Sequence, residues 1–185
     1  MTNKGRVILA SVSPRRRMLL EAACLEVEVR PSGADESWPG GELAEGAIAL
    51  ALRKLSAIKA SNEIIIAADT IVALDQNRFE KPTDNEDAIR MLTVLAGKTH
   101  EVYTGYCVSK NHQIIKGVER TLVSFRNLSA AEIKQYVRTG ESLDKAGSYG
   151  IQGVGGSLIH RIEGSYTNVM GLPLKEVLSA IEDVS

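Results

Sequence analysis

The chain has 185 residues, of which 44% are hydrophobic and 24% are charged, and its formal net charge is −1. This length and composition are typical of one soluble globular domain, or at most two small lobes, with a complete core. A net charge close to zero provides no basic surface field, so neither nucleic acid nor an anionic membrane is expected as a partner. No apolar run reaches the length of a signal-peptide core or a membrane span, and we expect a cytoplasmic protein.

Strands and helices alternate along the first half of the sequence. Hydrophobic periodicity predicts a strand at 6–10, a helix at 14–23 capped by Ser13, a strand at 26–30 and a helix at 43–60. The inner side of the first helix is assigned to Met18, Leu19 and Ala22. The run 64–74 is apolar apart from Asp69 and Thr70, which is typical of a strand buried on both faces.

The second half contains a predicted hairpin and three further helices. A capping box at 83–86 opens a helix that ends at Gly97, and another opens at Ser129. Strands are predicted at 101–109, 113–125 and 158–162, a long loop at 141–156 and a last helix at 173–181. Interleaved helices and strands around one hairpin predict a single α/β domain over residues 1–185 with a mixed β-sheet.

Asp69 is the first candidate functional residue. An ionised carboxylate in a buried strand is costly unless it is paired or bound to a metal. Asp69 is therefore either a hydrogen-bonded structural residue or part of a site. Lys54, Lys81 and Glu36, taken singly, are typical of solvated surface charges. Together with Asp69 they supply carboxylates for a hard cation and ammonium groups for phosphate oxygens.

Three arginines, residues 15–17, occupy the first turn of the predicted first helix, where acidic residues are usual. A bound anion would explain them, because backbone N–H groups, the Ser11 hydroxyl and guanidinium groups could converge on a phosphate. The alternative is a solvated basic turn beside an acidic neighbour, and we favour the phosphate site. The sequence lacks GxGxxG after the first strand and GxxxxGK[ST] throughout, which disfavours a dinucleotide-binding domain and a P-loop enzyme.

Two loops late in the sequence are rich in glycine and polar residues. In the first, at 143–153, glycines allow close approach to a ligand, and the Gln152 amide could read a base edge. For the second, at 164–174, a turn followed by a helix cap is at least as good an interpretation as ligand contact. Cys24 and Cys107 match no metal or redox spacing, and both are predicted to be buried in a reducing compartment.

Six motifs occur in order along nearly the whole chain: ASVSPRRR at 10–17, AADTIV at 67–72, EKP at 80–82, GKTH at 97–100 with Val102, Thr104 and Gly105, DKAGSYGIQG at 144–153 and GSYTNVMGLPL at 164–174. With these motifs the chain resembles the Maf family, the septum-formation proteins that are nucleoside triphosphate pyrophosphatases. The resemblance implies a mixed β-sheet flanked by helices with a central cleft, as in inosine triphosphatases.

The resemblance also implies an activity and its residues. The family hydrolyses nucleoside triphosphates between the α- and β-phosphates with a divalent cation, Mg²⁺ or Mn²⁺. The sequence variants here resemble the branch that acts on dTTP and UTP rather than on 7-methylguanosine triphosphate. Asp69 is implied as the proton acceptor, with a metal-ligand role also open. The resemblance places substrate discrimination on Arg15, Thr70 and Gln152, and phosphate and metal contacts on Ser11, Lys54, Lys81 and Glu36.

Two other classes of function are considered. A nucleotide-binding regulator of septum formation would not require catalysis, but it would have little need for an ionised Asp69 among phosphates without a metal. Direct nucleic-acid binding is opposed by the charge balance. A homodimer is left open.

Overall fold

The structure, a computed structural model, describes residues 4–59 and 62–185. Its strands are β1 (Lys4–Leu9), β2 (Leu25–Val29), β3 (Ile64–Leu74), β4 (Asn77–Phe79), β5 (Thr99–Lys110), β6 (Gln113–Phe125) and β7 (Ile159–Glu163). Its helices are α1 (Pro14–Ala22), α2 (Leu43–Ser56), α3 (Asn85–Leu95), α4 (Ala130–Val137), α5 (Tyr166–Val169) and α6 (Leu174–Val184). Two 3₁₀ segments, Ala146–Ser148 and Gly153–Leu158, interrupt the predicted long loop.

The strands form one seven-stranded mixed sheet in the order β2-β1-β3-β5-β6-β7, with β4 paired to β3. The strand β1 runs parallel to both β2 and β3. The pairs β3–β4 and β6–β7 are antiparallel. The predicted mixed-sheet α/β class is therefore confirmed. None of the helices in the described part of the chain is long and apolar enough to cross a membrane.

The chain divides into two compact units. The first unit contains Met1–Thr70, Tyr103–Glu119 and Gly171–Ser185, and the second contains Ile71–Val102 and Arg120–Met170. One apolar cluster of the first unit joins Ile8 and Ile65 to Leu55 of α2. The core of the second unit packs Leu92 of α3 and Ile133 of α4 against Phe125 and its neighbours. The strands β3, β5 and β6 each contribute residues to both units.

Most predicted elements are present, because their signals are local. The run Ile64–Leu74 is one strand, and only Asp69 and Thr70 within it are more than slightly exposed. The second predicted capping box is complete, since Ser129 and Glu132 hydrogen-bond each other's backbone N–H groups. The first is shifted by one residue, because Asp84 rather than Thr83 caps α3 by accepting from the Asp87 N–H at 2.8 Å.

Three local predictions are wrong in whole or in part. Of the three residues assigned to the inner side of α1, only Leu19 is buried; Met18 and Ala22 are exposed, and Arg16 takes an inward position instead. Ser13 occupies the N-cap position of α1 as predicted, but its side chain makes no capping hydrogen bond to the described residues, while its N–H donates to Ser11 Oγ at 3.2 Å. Cys24 is exposed, with a φ of 63° at the turn into β2, whereas Cys107 is buried as predicted. The predicted end of α2 at residue 60 lies outside the described residues, and the helix ends at Ser56.

Candidate functional site

The candidate site lies beside β1, where the order of the strands in the sheet reverses. Because β1 lies between β2 and β3, the connections through α1 and α2 run to opposite sides of β1. Ligands of open α/β sheets bind beyond the carboxyl ends of the strands at such a switch point. In the parallel register Leu9 pairs with Ile66, so Ser11 leaves β1 close to the level at which Asp69 and Thr70 follow in β3. These are the polar residues singled out from the sequence.

Arg16 is the centre of a buried hydrogen-bond network in the first unit. Its side chain lies on the face of α1 that also buries Leu19 and Leu20, and the residue is 8% exposed. The guanidinium donates from Nε to the Gly171 carbonyl at 2.7 Å and from Nη1 to Ser11 Oγ at 3.0 Å. It also donates from Nη2 to Thr70 Oγ1 at 3.1 Å. One side chain thus joins α1, β3 and the segment before α6.

The charges near Arg16 have mixed signs. Burial lowers the pKa of Arg16 from its ordinary value, and the nearby positive charge of Arg15 acts in the same direction. The carboxylates of Asp69 and Glu36 act in the opposite direction on this pKa. Arg16 remains a cation, because a guanidinium does not deprotonate in proteins. The network therefore places a permanent positive charge within electrostatic range of Asp69.

A second cluster joins Lys54 to two carboxylates. Lys54 lies in the last turn of α2, and its side chain is only 8% exposed. Its ammonium donates to Asp69 Oδ1 at 2.5 Å and lies 2.7 Å from Glu36 Oε1. The side chain of Asp69 is 15% exposed and that of Glu36 is 61% exposed. A buried lysine therefore orients the one carboxylate of β3 through a single oxygen.

The loop that carries Glu36 is held against α2. The ring of Trp38 lies directly over Gly46, where a Cβ would come within 1.9 Å of the ring. Arg53 donates to the Ser37 carbonyl at 2.7 Å, one residue after Glu36. The absence of a side chain at Gly46 is thus what allows this loop to pack closely and bring Glu36 to Lys54.

The two carboxylates fit a hard cation. No group of three or more His, Cys, Asp and Glu residues in the described chain is arranged to hold a metal ion. Asp69 and Glu36 nevertheless converge on one positive group, the Lys54 ammonium. Mg²⁺ is commonly bound by one or two carboxylates, with substrate phosphates and water completing its shell. The donor set is therefore suited to a cation that arrives with a phosphorylated ligand.

The predicted site residues fall into both units. Six of the eight belong to the first unit, where Lys54 joins Glu36 to Asp69 and Arg16 joins Ser11 to Thr70. Arg15 is half-buried in the same unit and is not part of the Arg16 network described above. Lys81 and Gln152 belong to the second unit, where Lys81 is exposed and Gln152 is half-buried.

From the sequence, Arg16 was expected only as one of three arginines that bind a phosphate, and its buried position was not predicted. Thr104 and Gly171 were given no role, although both lie in or next to the first network. One signal for Arg16 was available. It lies three and four residues before Leu19 and Leu20, the spacing of one helix face. Thr104 and Gly171 were within quoted motifs, but neither carries a charge or a periodic pattern that would single it out.

In the second unit, the loop that carries Gln152 is tightly fixed. The Tyr136 hydroxyl accepts from the Gly150 N–H at 3.1 Å, and Glu141 accepts from the Val154 N–H at 3.2 Å. Gly147 N–H donates to the Glu80 carbonyl at 3.2 Å, so this loop also contacts the residue before Lys81. Gln152 therefore lies in a loop whose backbone is held by hydrogen bonds on both sides of it.

His100 is a buried titratable group of the second unit. Its Nε2 lies 2.8 Å from the Tyr149 hydroxyl, and its ring packs edge-on against Phe125 and Tyr149 at centroid distances of 4.9 and 5.3 Å. Its Nδ1 has no hydrogen-bond partner among the described residues. Burial lowers the pKa of His100 from 6.5 to about 4. The imidazole is therefore neutral in the folded protein at neutral pH.

Because His100 is buried in its neutral form, we expect the folded protein to lose stability in acid. Between pH 6.5 and pH 4 the unfolded chain binds a proton that the folded chain does not, so the free energy of unfolding decreases as the pH falls through this range. The contribution of His100 to that decrease is about 3 kcal/mol over the full range. Urea unfolding at pH 7 and pH 4.5 should show a smaller loss for His100→Gln than for wild type. Exposed His112 provides the control, and an equal loss in His100→Gln and His112→Gln would contradict the assignment.

An α/β protein with buried cations and a carboxylate at its switch point belongs to a class that typically binds phosphorylated ligands. The comparisons with known proteins are more specific. Residues 6–184 match the family model described as Maf-like protein. The chain therefore belongs to the Maf-like protein family, as its motifs indicate.

Several curated relatives share a name. A protein of Pyrococcus furiosus, named dTTP/UTP pyrophosphatase, is 47% identical over 96% of this chain and 94% of its own length. Relatives with the same name from an Anaeromyxobacter species and from Deinococcus radiodurans are each 48% identical. The alignments cover 92% and 94% of this chain, and 85% and 90% of the respective relatives.

Proposed function

We propose that this protein is a pyrophosphatase that hydrolyses dTTP and UTP to the nucleoside monophosphate and pyrophosphate. Family membership and the shared name of several relatives at 43–48% identity support the proposal. The observation that carries it in the structure is the Asp69 carboxylate, which a buried lysine orients beside a cationic network at the switch point. A carboxylate can activate water as a general base, and nearby cations stabilise the negative charge of the phosphates.

Asp69 is proposed as the group that accepts the proton of the attacking water. The bond between the α- and β-phosphates breaks, and pyrophosphate leaves with the bridging oxygen. Lys54 orients the carboxylate by donating to Oδ1. Because the carboxylate is already held in one direction, little reorganisation is needed when the water arrives.

Asp69 and Glu36 are also the proposed ligands of a divalent cation, Mg²⁺ or Mn²⁺. Their convergence on the Lys54 ammonium supports this, because it shows that both carboxylates reach one point of positive charge. When bound, such a cation would draw negative charge from the phosphate oxygens. The Lys54 ammonium supplies positive charge at the same place.

The remaining predicted residues are proposed contacts of the nucleotide. Ser11, Lys54 and Lys81 are assigned to phosphate oxygens, and Arg15, Thr70 and Gln152 to discrimination among nucleotides. Both cysteines are free thiols, which supports the cytoplasm as the compartment. Nucleic acid is not proposed as a partner, given the net charge of −1.

The experiment that tests the function is pyrophosphate release from a panel of nucleoside triphosphates, each with Mg²⁺, Mn²⁺ or a chelator. We expect rapid metal-dependent release from dTTP and UTP and slow release from purine triphosphates. A folded protein that binds nucleotides but releases pyrophosphate from none of them would contradict the proposal. It would favour the nucleotide-binding regulator instead.

The discriminating residues give a separate prediction. Arg15→Ala and Gln152→Ala should raise KM for dTTP or change the order of preference among triphosphates. Each substitution removes side-chain hydrogen-bond donors with which the protein would contact the nucleotide. The matched controls are Arg17→Ala, on the exposed face of α1, and Gln135→Ala, on the exposed face of α4. If both test variants kept the wild-type KM and order of preference, the recognition roles would be wrong.

A further inference from the structure

The hydroxyl of Thr104 is placed against the hydroxyl of Thr70. Thr104 lies on β5, is 0% exposed, and belongs to the same compact unit as Thr70. The two Oγ1 atoms are 2.9 Å apart, within the normal range for an O–H···O hydrogen bond. Burying a hydroxyl group is costly unless it forms hydrogen bonds. This contact therefore fixes both side chains.

Among the hydrogen-bond partners of the Thr70 hydroxyl, the Thr104 hydroxyl is the nearest. A threonine hydroxyl has one proton to donate and two lone pairs to accept with. Arg16 Nη2 uses one lone pair at 3.1 Å. The Gly171 carbonyl lies 3.5 Å from Thr70 Oγ1, which is long for a hydrogen bond, whereas Thr104 lies at 2.9 Å.

Either direction of the threonine–threonine bond leaves Thr70 one position for a ligand. If Thr70 donates to Thr104, its second lone pair remains to accept from an N–H group. If Thr104 donates to Thr70, both lone pairs are used and the Thr70 proton remains for a ligand, because its only other acceptor in this network is the Gly171 carbonyl at the long distance of 3.5 Å. Arg16 and Thr104 together thus determine which group Thr70 presents, although Thr104 itself is buried.

We propose that Thr104 is a positioning residue for nucleotide discrimination, acting by holding the Thr70 hydroxyl between itself and Arg16. The inference rests on the proposed function, in which Thr70 contacts the nucleotide. A merely structural role, in which the pair links β3 to β5, would affect stability but would act on substrate binding in the same way whether or not Thr70 has its hydroxyl.

The test is a double-mutant cycle with Thr104→Val, Thr70→Val and the double variant. Valine keeps the shape of threonine and removes the hydroxyl. We expect Thr104→Val to raise KM for dTTP about fivefold, the worth of one neutral hydrogen bond, with a smaller effect on kcat. In the Thr70→Val background the same change should leave KM unaltered, and Thr104→Ser should restore the wild-type KM.

Thr121→Val is the matched control. Thr121 is also a fully buried threonine, but its Oγ1 bonds Ser165 and Asn168 in the second unit. It should lower the melting temperature without changing the order of preference among triphosphates. The proposal is overturned if Thr104→Val leaves KM unchanged, or raises it equally with and without the Thr70 hydroxyl.

The same cycle is measured on the Kd of dTTP by calorimetry in the presence of a chelator. A wild-type protein that binds dTTP but does not hydrolyse it would overturn the proposed function, while the Kd cycle would still decide the role of Thr104. A wild-type protein that binds none of the triphosphates, either in the chelator or with Mg²⁺, would overturn both proposals.

Discussion

Asp69→Asn is expected to fold normally and to release pyrophosphate from dTTP roughly 10²- to 10⁴-fold more slowly than wild type. Asparagine has the same shape and can still accept a hydrogen bond from Lys54, so the 2.5 Å contact can be kept with little rearrangement. It cannot accept a proton from water, and its neutral amide is a poorer ligand for a hard cation. The measurement is kcat for dTTP at saturating Mg²⁺, together with thermal unfolding of both proteins.

The matched control for this variant is Asp75→Asn. Asp75 is exposed in the turn between β3 and β4, with a φ of 49° that asparagine also tolerates. We expect wild-type turnover from it. Undiminished turnover by Asp69→Asn would refute the catalytic assignment, whatever the metal dependence of the wild-type enzyme.

Arg16→Ala is expected to lower both stability and activity. It removes a charged donor from three acceptors, the carbonyl of Gly171 and the hydroxyls of Ser11 and Thr70. The expected loss in the free energy of unfolding is about 3 kcal/mol, because buried acceptors lose charge-assisted hydrogen bonds. Turnover of dTTP should fall by about 10²-fold, since the groups around Asp69 are no longer held in position. Urea unfolding and steady-state kinetics measure the two effects.

Two further variants separate the geometry of Arg16 from its charge. Arg16→Lys keeps the charge, but one ammonium does not reproduce the fork of a guanidinium, so most of the loss should remain. Arg17→Ala removes the adjacent exposed arginine, whose pairing with Glu21 is an ordinary i,i+4 surface contact, and should cost less than about 0.5 kcal/mol. Equal effects of Arg16→Ala and Arg17→Ala would show that the buried network contributes little.

Local signals predicted most of the fold. The capping box at Ser129 and the apolar run of β3 depend on residues that are neighbours in sequence, and both are present. The inner face of α3, formed by Ala88, Met91, Leu92 and Leu95, is buried, and its members recur at the three- and four-residue spacing of a helix. The helix α5 was missed because its four residues are too few to show a period.

Which residues of a short helix face the core is harder to predict from the sequence. Three consecutive arginines carry the same charge, and a short amphipathic pattern does not indicate which of them faces the core. The sequence assigned Met18 to the inner side of α1, but α1 docks with Arg16 inward and Met18 43% exposed. A buried guanidinium is tolerated at that position only because three acceptors, two of them from distant parts of the sequence, lie within hydrogen-bond range.

The order of the elements, the mixed α/β class and the family are all readable from the sequence, since they depend on local periodicity and on motifs that remain in order along the chain. Asp69 is also recognisable there, because a lone carboxylate stands out in an apolar run. The contact of Lys54 with Asp69, and the placement of Arg16, Thr104 and Gly171 around Thr70, are known only from the folded chain. Gly171 lies 101 residues from Thr70, and Thr104 lies 34 residues from it. Such pairings depend on how strands and helices pack, and no spacing in the sequence specifies them.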